Sequence, residues 1–114
     1  MAIDRRKNMN LIDELSKAHE ESEIEEISAY IADDVRNEMF SLEQIKNIIC
    51  IYDKFDLLSL KYKTREQILY TISEIANNYQ IKGIIDLKKI LETRDLIEDD
   101  LKEYVDEIIN VYNN

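Results

Sequence analysis

The side chains that could carry out chemistry are few and mostly isolated. His19 is the only histidine and Cys50 the only cysteine. A histidine acting as general base or metal ligand needs company, and there is no second histidine to complete a His-Glu-x-x-His pair. His19 stands beside Glu20 and Glu21 and reads as a surface residue at a helix end. A nucleophilic cysteine needs a cation or histidine beside it to form thiolate. Cys50 lies inside Ile48-Ile49-Cys50-Ile51, which predicts a buried, inert, space-filling thiol. A lone cysteine also forms no internal disulfide.

Carboxylates are abundant. They cluster at Glu20, Glu21, Glu23, Glu25 and Glu26, and again at Glu98, Asp99, Asp100, Glu103, Asp106 and Glu107. Asp99 and Glu103, or Glu103 and Glu107, are four apart and share a helix face, where a divalent cation could bridge them. The pattern lacks the alternating ligands and central glycine of a calcium loop. No phosphate-cradling glycine loop, zinc spacing or nucleophile elbow occurs either. The carboxylates therefore read as solvated faces, and the chain reads as non-catalytic, with no metal or other cofactor expected.

What remains is charge. The formal net charge is −10, unevenly spread: residues 13–43 carry −9, residues 44–94 carry +3, and residues 95–114 carry −6. Such a surface repels nucleic acid and anionic membrane and attracts basic proteins. The short basic stretch of Lys61, Lys63 and Arg65 around Tyr62 is opposed by the field of the whole chain. The expected partner is a basic protein, without direct nucleic-acid or membrane binding. Tyr30 has Glu23, Glu26, Asp33 and Asp34 at helical distances. A tyrosine buries large area at little entropy cost, and acidic neighbours steer a basic partner toward it. These five residues are the candidate partner-binding face. The acidic sixth helical segment is the rival, but its Tyr104 falls within an apolar stripe.

The elements that position these groups are helices. Glycine occurs once, at Gly83, and proline never, which disfavours a turn-rich β architecture. The 19 isoleucines would favour strands by propensity, but their spacing is helical, and burial overrides propensity. Residues 1–8 read as a tail and residues 9–114 as one helical domain. The first segment runs from about Asn10, with Leu11, Ile12, Leu15 and Ala18 on one face. Later segments open with Ser/Thr/Asp followed three residues on by Glu/Gln: Ser22–Glu25, Ser41–Gln44, Thr64–Gln67 and Asp95–Glu98. Their stripes are Ile24-Ile27-Ile31-Val35, Ile45-Ile48-Ile49-Tyr52, Ile68-Ile72-Ile75-Tyr79 and Leu101-Val105-Ile108-Tyr112. The connection from Asp56 to Lys63 is expected to pack inward through Leu57, Leu58 and Leu60. A fifth segment follows Gly83, with Ile84, Leu87 and Leu91 inward. Asn77 and Asn78 suit a helix end. The fold class is all-α: five or six antiparallel helices in a bundle or short α-solenoid.

No apolar run is long enough to span a bilayer, and no apolar region follows Arg5, Arg6 and Lys7 as in a signal peptide. Cytoplasmic location is the expectation.

Residues 64–79 align with 97–112, matching Glu74, Ile75, Asn77 and Tyr79 to Glu107, Ile108, Asn110 and Tyr112. Shared amphipathic spacing accounts for much of this. The segment TREQILYTISEIANNYQIKGIIDLKKILET nevertheless resembles a HEAT-like helical hairpin. Over residues 64–112 the chain resembles the small acidic helical immunity proteins of bacterial toxin–immunity systems. That resemblance implies an inhibitor that binds and neutralises a basic toxin or nuclease. No family motif transfers residue by residue, so it assigns no site. The competing readings are a helical adaptor or self-associating structural protein, such as a homodimer, and a phage-encoded inhibitor of a host defence enzyme acting as a DNA mimic. A carboxylate metalloenzyme is the least favoured class.

Overall fold

The apolar stripes coil into helices that close around one core. The computed structural model describes residues 6–83 and 85–113. Six α-helices occur among them: α1 (Arg6–Lys17), α2 (Glu21–Arg36), α3 (Leu42–Lys54), α4 (Tyr62–Asn78), α5 (Lys88–Leu91) and α6 (Lys102–Asn113). Single 3-10 turns lie at Leu57–Ser59, Arg94–Leu96 and Asp99–Leu101. The described residues contain no strand. The fold is an all-α bundle centred on α4, which packs chiefly against α2 and then α6, while α1 lies on α2 and α3. Ile31, Ile45, Ile49, Ile68, Ile72, Ile75, Leu101, Val105 and Ile108 are all buried, as their spacing predicts.

The helix boundaries follow tertiary demands more than local start signals. At α3 the capping box forms: the Ser41 hydroxyl accepts from Gln44 N at 3.1 Å, and Gln44 Oε1 accepts from Ser41 N at 2.7 Å. The other three expected boxes do not form. α2 begins at Glu21, before Ser22, and has no side-chain cap. α4 begins at Tyr62, and Thr64 is buried with its hydroxyl 3.3 Å from Glu25 Oε2 on α2. Asp95 lies in a 3-10 turn, and α6 starts only at Lys102. The Glu98 carboxylate that would have closed that box is held by Arg65 on α4.

Three further expectations are corrected. α1 starts at Arg6, inside the segment read as a tail, so only residues 1–5 of that tail lie outside the described residues. The fifth helix is one turn long, with Leu87 buried before it and Leu91 half-buried; Ile84 lies outside the described residues. α4 does end at Asn78, but the chain leaves through an extended Tyr79 and not through a left-handed asparagine. Among the described residues the positive φ values belong to Glu38, just after α2, and to Gly83 in the turn before α5.

Two tyrosines from the aligned segments do equivalent work at helix ends. The Tyr79 hydroxyl donates to Phe40 O at 2.9 Å and accepts from Phe40 N at 3.1 Å, fixing the α2–α3 connection to the end of α4. Burial raises its pKa, since the phenolate would be desolvated there. The Tyr112 hydroxyl donates to Ile85 O at 3.1 Å, fixing the approach to α5. Inside the core, the Tyr52 hydroxyl donates to Ser28 Oγ at 2.8 Å, and Thr71 Oγ1 lies 3.1 Å from Ser28 O. This small polar cluster ties α3 and α4 to α2.

Candidate protein-binding face

α2 turns about 100° per residue, which sorts its side chains into two sides. Ile24, Ile27, Ser28, Ile31, Ala32 and Val35 form the buried side. Glu23, Glu26, Tyr30, Asp33 and Asp34 fall within about a third of a turn on the other side, by the same rotation. Glu23, Glu26 and Asp33 are exposed and Asp34 is half-buried. Tyr30 is 44% exposed, one of the few large apolar-bodied side chains outside the core. The five candidate residues therefore share one surface. Asp33 is paired with Arg36, whose guanidinium also donates to the Tyr70 hydroxyl on α4. That pairing trims the acidity of the face at its C-terminal end. Glu23 and Glu26 make no ion pair among the described residues.

The C-terminal acids are disposed differently. Both Glu98 oxygens accept from Arg65 Nη1, at 2.6 and 2.7 Å. Asp99 pairs with Lys102 at 3.0 Å, and Asp95 with Arg94 at 3.0 Å. Asp106 accepts two bonds from Arg94, at 2.5 and 3.1 Å, which hold its pKa below the ordinary carboxylate value. Asp100 accepts from the Tyr62 hydroxyl, a bond that pushes the Tyr62 pKa up to about 12. Glu107 accepts from Asn77 at 2.6 Å. Most of the negative charge of residues 95–114 is thus spent on intramolecular partners. Tyr104, expected in the core, is half-buried and meets Tyr70 edge-on, with ring centroids 6.1 Å apart.

The basic stretch is also dismantled by folding. Lys61 and Lys63 are exposed, but Arg65 is buried at 8% exposure and points inward. Its Nε donates to Leu57 O at 3.1 Å, and its Nη2 donates to Leu58 O and Leu60 O at 3.2 and 2.6 Å. Arg65 therefore joins α4, the Leu57–Ser59 turn and the approach to α6. Nothing in its sequence neighbourhood separates it from a surface arginine. The expected inward packing of the connection holds for Leu57 and in part for Leu60, but Leu58 is 41% exposed. Leu96, in none of the predicted stripes, is 68% exposed.

Cys50, expected to be buried, is exposed. The buried stripe of α3 is Ile45, Ile48, Ile49 and Tyr52. Position 50 lies roughly opposite that stripe at about 100° per residue, so four consecutive apolar residues cannot all face inward. A thiol reagent is expected to label the folded protein at a rate close to that of an unstructured cysteine peptide. Cys50→Ser should change stability by less than about 0.5 kcal/mol, as surface substitutions do. Labelling slowed many-fold in native buffer and restored by urea would contradict the exposed placement.

His19 is exposed in the α1–α2 connection, just beyond the helix end expected of it. Among the described residues no three His, Cys, Asp or Glu side chains converge as metal ligands. No described helix is long and apolar enough to cross a membrane. Compared with family models, curated proteins and solved structures, the chain matches none.

Proposed function

We propose that the chain is a non-catalytic binding module that holds a basic protein on the acidic face of α2, in the manner of an immunity-type inhibitor of a toxin or enzyme. One observation carries this reading. Of the two acidic regions, the C-terminal one has Asp95, Glu98, Asp99 and Asp106 paired with Arg94, Arg65 and Lys102, whereas Glu23 and Glu26 beside exposed Tyr30 have no cationic partner among the described residues. Acidic side chains left without internal partners are those available to steer a cationic one, and a half-exposed tyrosine among them supplies buriable area.

The test is association kinetics with a basic protein partner against ionic strength. Tyr30→Ala is expected to cost about 2 kcal/mol of affinity, mainly in the dissociation rate. Asp33→Lys with Asp34→Lys should slow association and flatten its salt dependence. Binding that ignores salt would remove the electrostatic premise, and unchanged binding in both variants would move the interface off α2.

A second reading, a self-associating or adaptor role, is favoured by a different surface. Leu58 and Leu96 are both exposed and flank one shallow depression with Ile97 and the Arg65–Glu98 pair. On that reading Leu96→Lys abolishes a dimer seen by sedimentation while leaving binding at α2 intact.

A further inference from the structure

Three tyrosines outside the α2 face come together where α4 runs beside α6. The Tyr70 and Tyr104 rings meet edge-on, and both keep part of their surface in water. In such a pair the edge of one ring meets a face of the other, so the pair itself leaves most of its ring surface unused. Tyr62, about two turns before Tyr70 on α4, is 36% exposed. The patch borders the acidic face of α2. Arg36 bonds Asp33 of that face and also donates to the Tyr70 hydroxyl. At this edge the chain's own guanidinium already joins a carboxylate to a tyrosine.

The charge around these rings is negative. Burial raises the Tyr104 pKa, and Glu66, Glu103 and Asp100 raise it further. The Tyr62 hydroxyl is bonded to Asp100 and also feels Glu66 and Glu98. Glu98 is paired with Arg65, and Lys102 with Asp99. Glu66, Asp100 and Glu103 make no ion pair among the described residues. Against these three carboxylates stands exposed Lys63, one turn before Glu66 on the same helix face. Aromatic surface set among unpaired carboxylates suits a cation with a flat apolar body. A guanidinium is planar and weakly hydrated, so it stacks on a ring while its fork of N–H groups reaches carboxylates at the rim. An ammonium is a compact, strongly hydrated point charge and does this less well.

We propose that the partner surface of α2 continues past Arg36 onto this patch, and that the patch seats an arginine of the basic partner, its guanidinium on the Tyr104 ring with Glu66 and Glu103 at its edge. The proposal rests on the reading that a basic protein docks on α2, and it names the residue type that the partner presents.

The probe is an unstructured peptide of arginines spaced by alanine, beside the same peptide with lysine or with citrulline. Each is titrated into the intact chain and followed by amide chemical shifts. The arginine peptide is expected to give saturable shifts in residues 62–74 and 100–107. The lysine peptide should bind more weakly by about threefold or more. The citrulline peptide keeps the shape without the charge and should give no shifts. Tyr104→Leu should weaken the arginine peptide by about threefold or more and bring it level with lysine. Glu66→Gln with Glu103→Gln should weaken both peptides, and it carries the test if Tyr104→Leu misfolds. Loss of binding in Tyr104→Leu with none in Tyr30→Ala supports the arginine seat and removes the α2 face. Shifts confined to residues 23–34, lost in Tyr30→Ala and untouched by Tyr104→Leu, leave the α2 reading standing and overturn this one. Equal binding of the arginine and lysine peptides, shifts with citrulline, or no saturable binding overturns it as well.

Discussion

Replacing Arg65 with alanine is expected to lower the unfolding free energy by about 2–4 kcal/mol. The guanidinium satisfies the carbonyls of Leu57, Leu58 and Leu60 and both oxygens of Glu98. Its removal takes the side-chain donor from the Leu58 and Leu60 carbonyls and leaves the carbonyl of buried Leu57 with only the 3.3 Å bond from Leu60 N. The estimate lies below that for a fully buried ion pair because the Glu98 side chain is 42% exposed and can be rehydrated. Arg65→Lys should recover less than half of the loss, since one ammonium cannot reproduce a planar fork aimed in three directions. Urea unfolding of the three proteins reads both effects. A domain of this size has roughly 5–15 kcal/mol in total, so the alanine variant should be visibly less stable at ambient temperature. A loss under about 1 kcal/mol would mean that the bonds of Arg65 are replaced by water without cost.

Ile75→Ala should cost about 2–5 kcal/mol by deleting methyl and methylene groups at a site that cannot collapse. Ile75 has no exposed surface and sits on α4, the helix packed by α2 on one side and α6 on another. Ile75→Val should cost about 0.5–1.5 kcal/mol, because only one carbon is lost. The half-buried Ile12 on α1 serves as the contrast: its alanine variant should lose clearly less than that of Ile75. Denaturant midpoints with unchanged slopes would check the series. Equal losses at Ile12 and Ile75 would mean that α4 is not the centre of the core.

The stripes were legible because a helical period of 3.6 residues is written directly in the spacing of apolar side chains. Every isoleucine, leucine and valine in the stripes of the second, third, fourth and sixth segments is buried, whereas Ile12 in the first and Leu91 in the fifth are half-buried. What the spacing could not show is which polar side chain serves which neighbour. Ser41 caps its own helix, while Thr64 and Glu98, equally well placed in sequence, turn to Glu25 and Arg65 on other elements. Those choices are made across separations of 39 and 33 residues. Cys50 was misjudged by its sequence neighbours because a run of apolar residues has no face until the helix is wound. The candidate site was legible as residues, since Glu23, Glu26, Tyr30, Asp33 and Asp34 do share a surface of α2. Its standing against the sixth segment was not legible, because both are acidic and only the fold assigns Arg65, Arg94 and Lys102 to one of them.

The stretch between Tyr79 and Lys102 holds one single-turn helix and two 3-10 turns, whereas α2 and α4 run 16 and 17 residues. Long helices protect their amides through many mutually supporting bonds, and isolated turns do not. The amides of this segment are therefore expected to exchange faster than those of α2 and α4. The Tyr112 hydroxyl on Ile85 is one pin that holds the segment against α6.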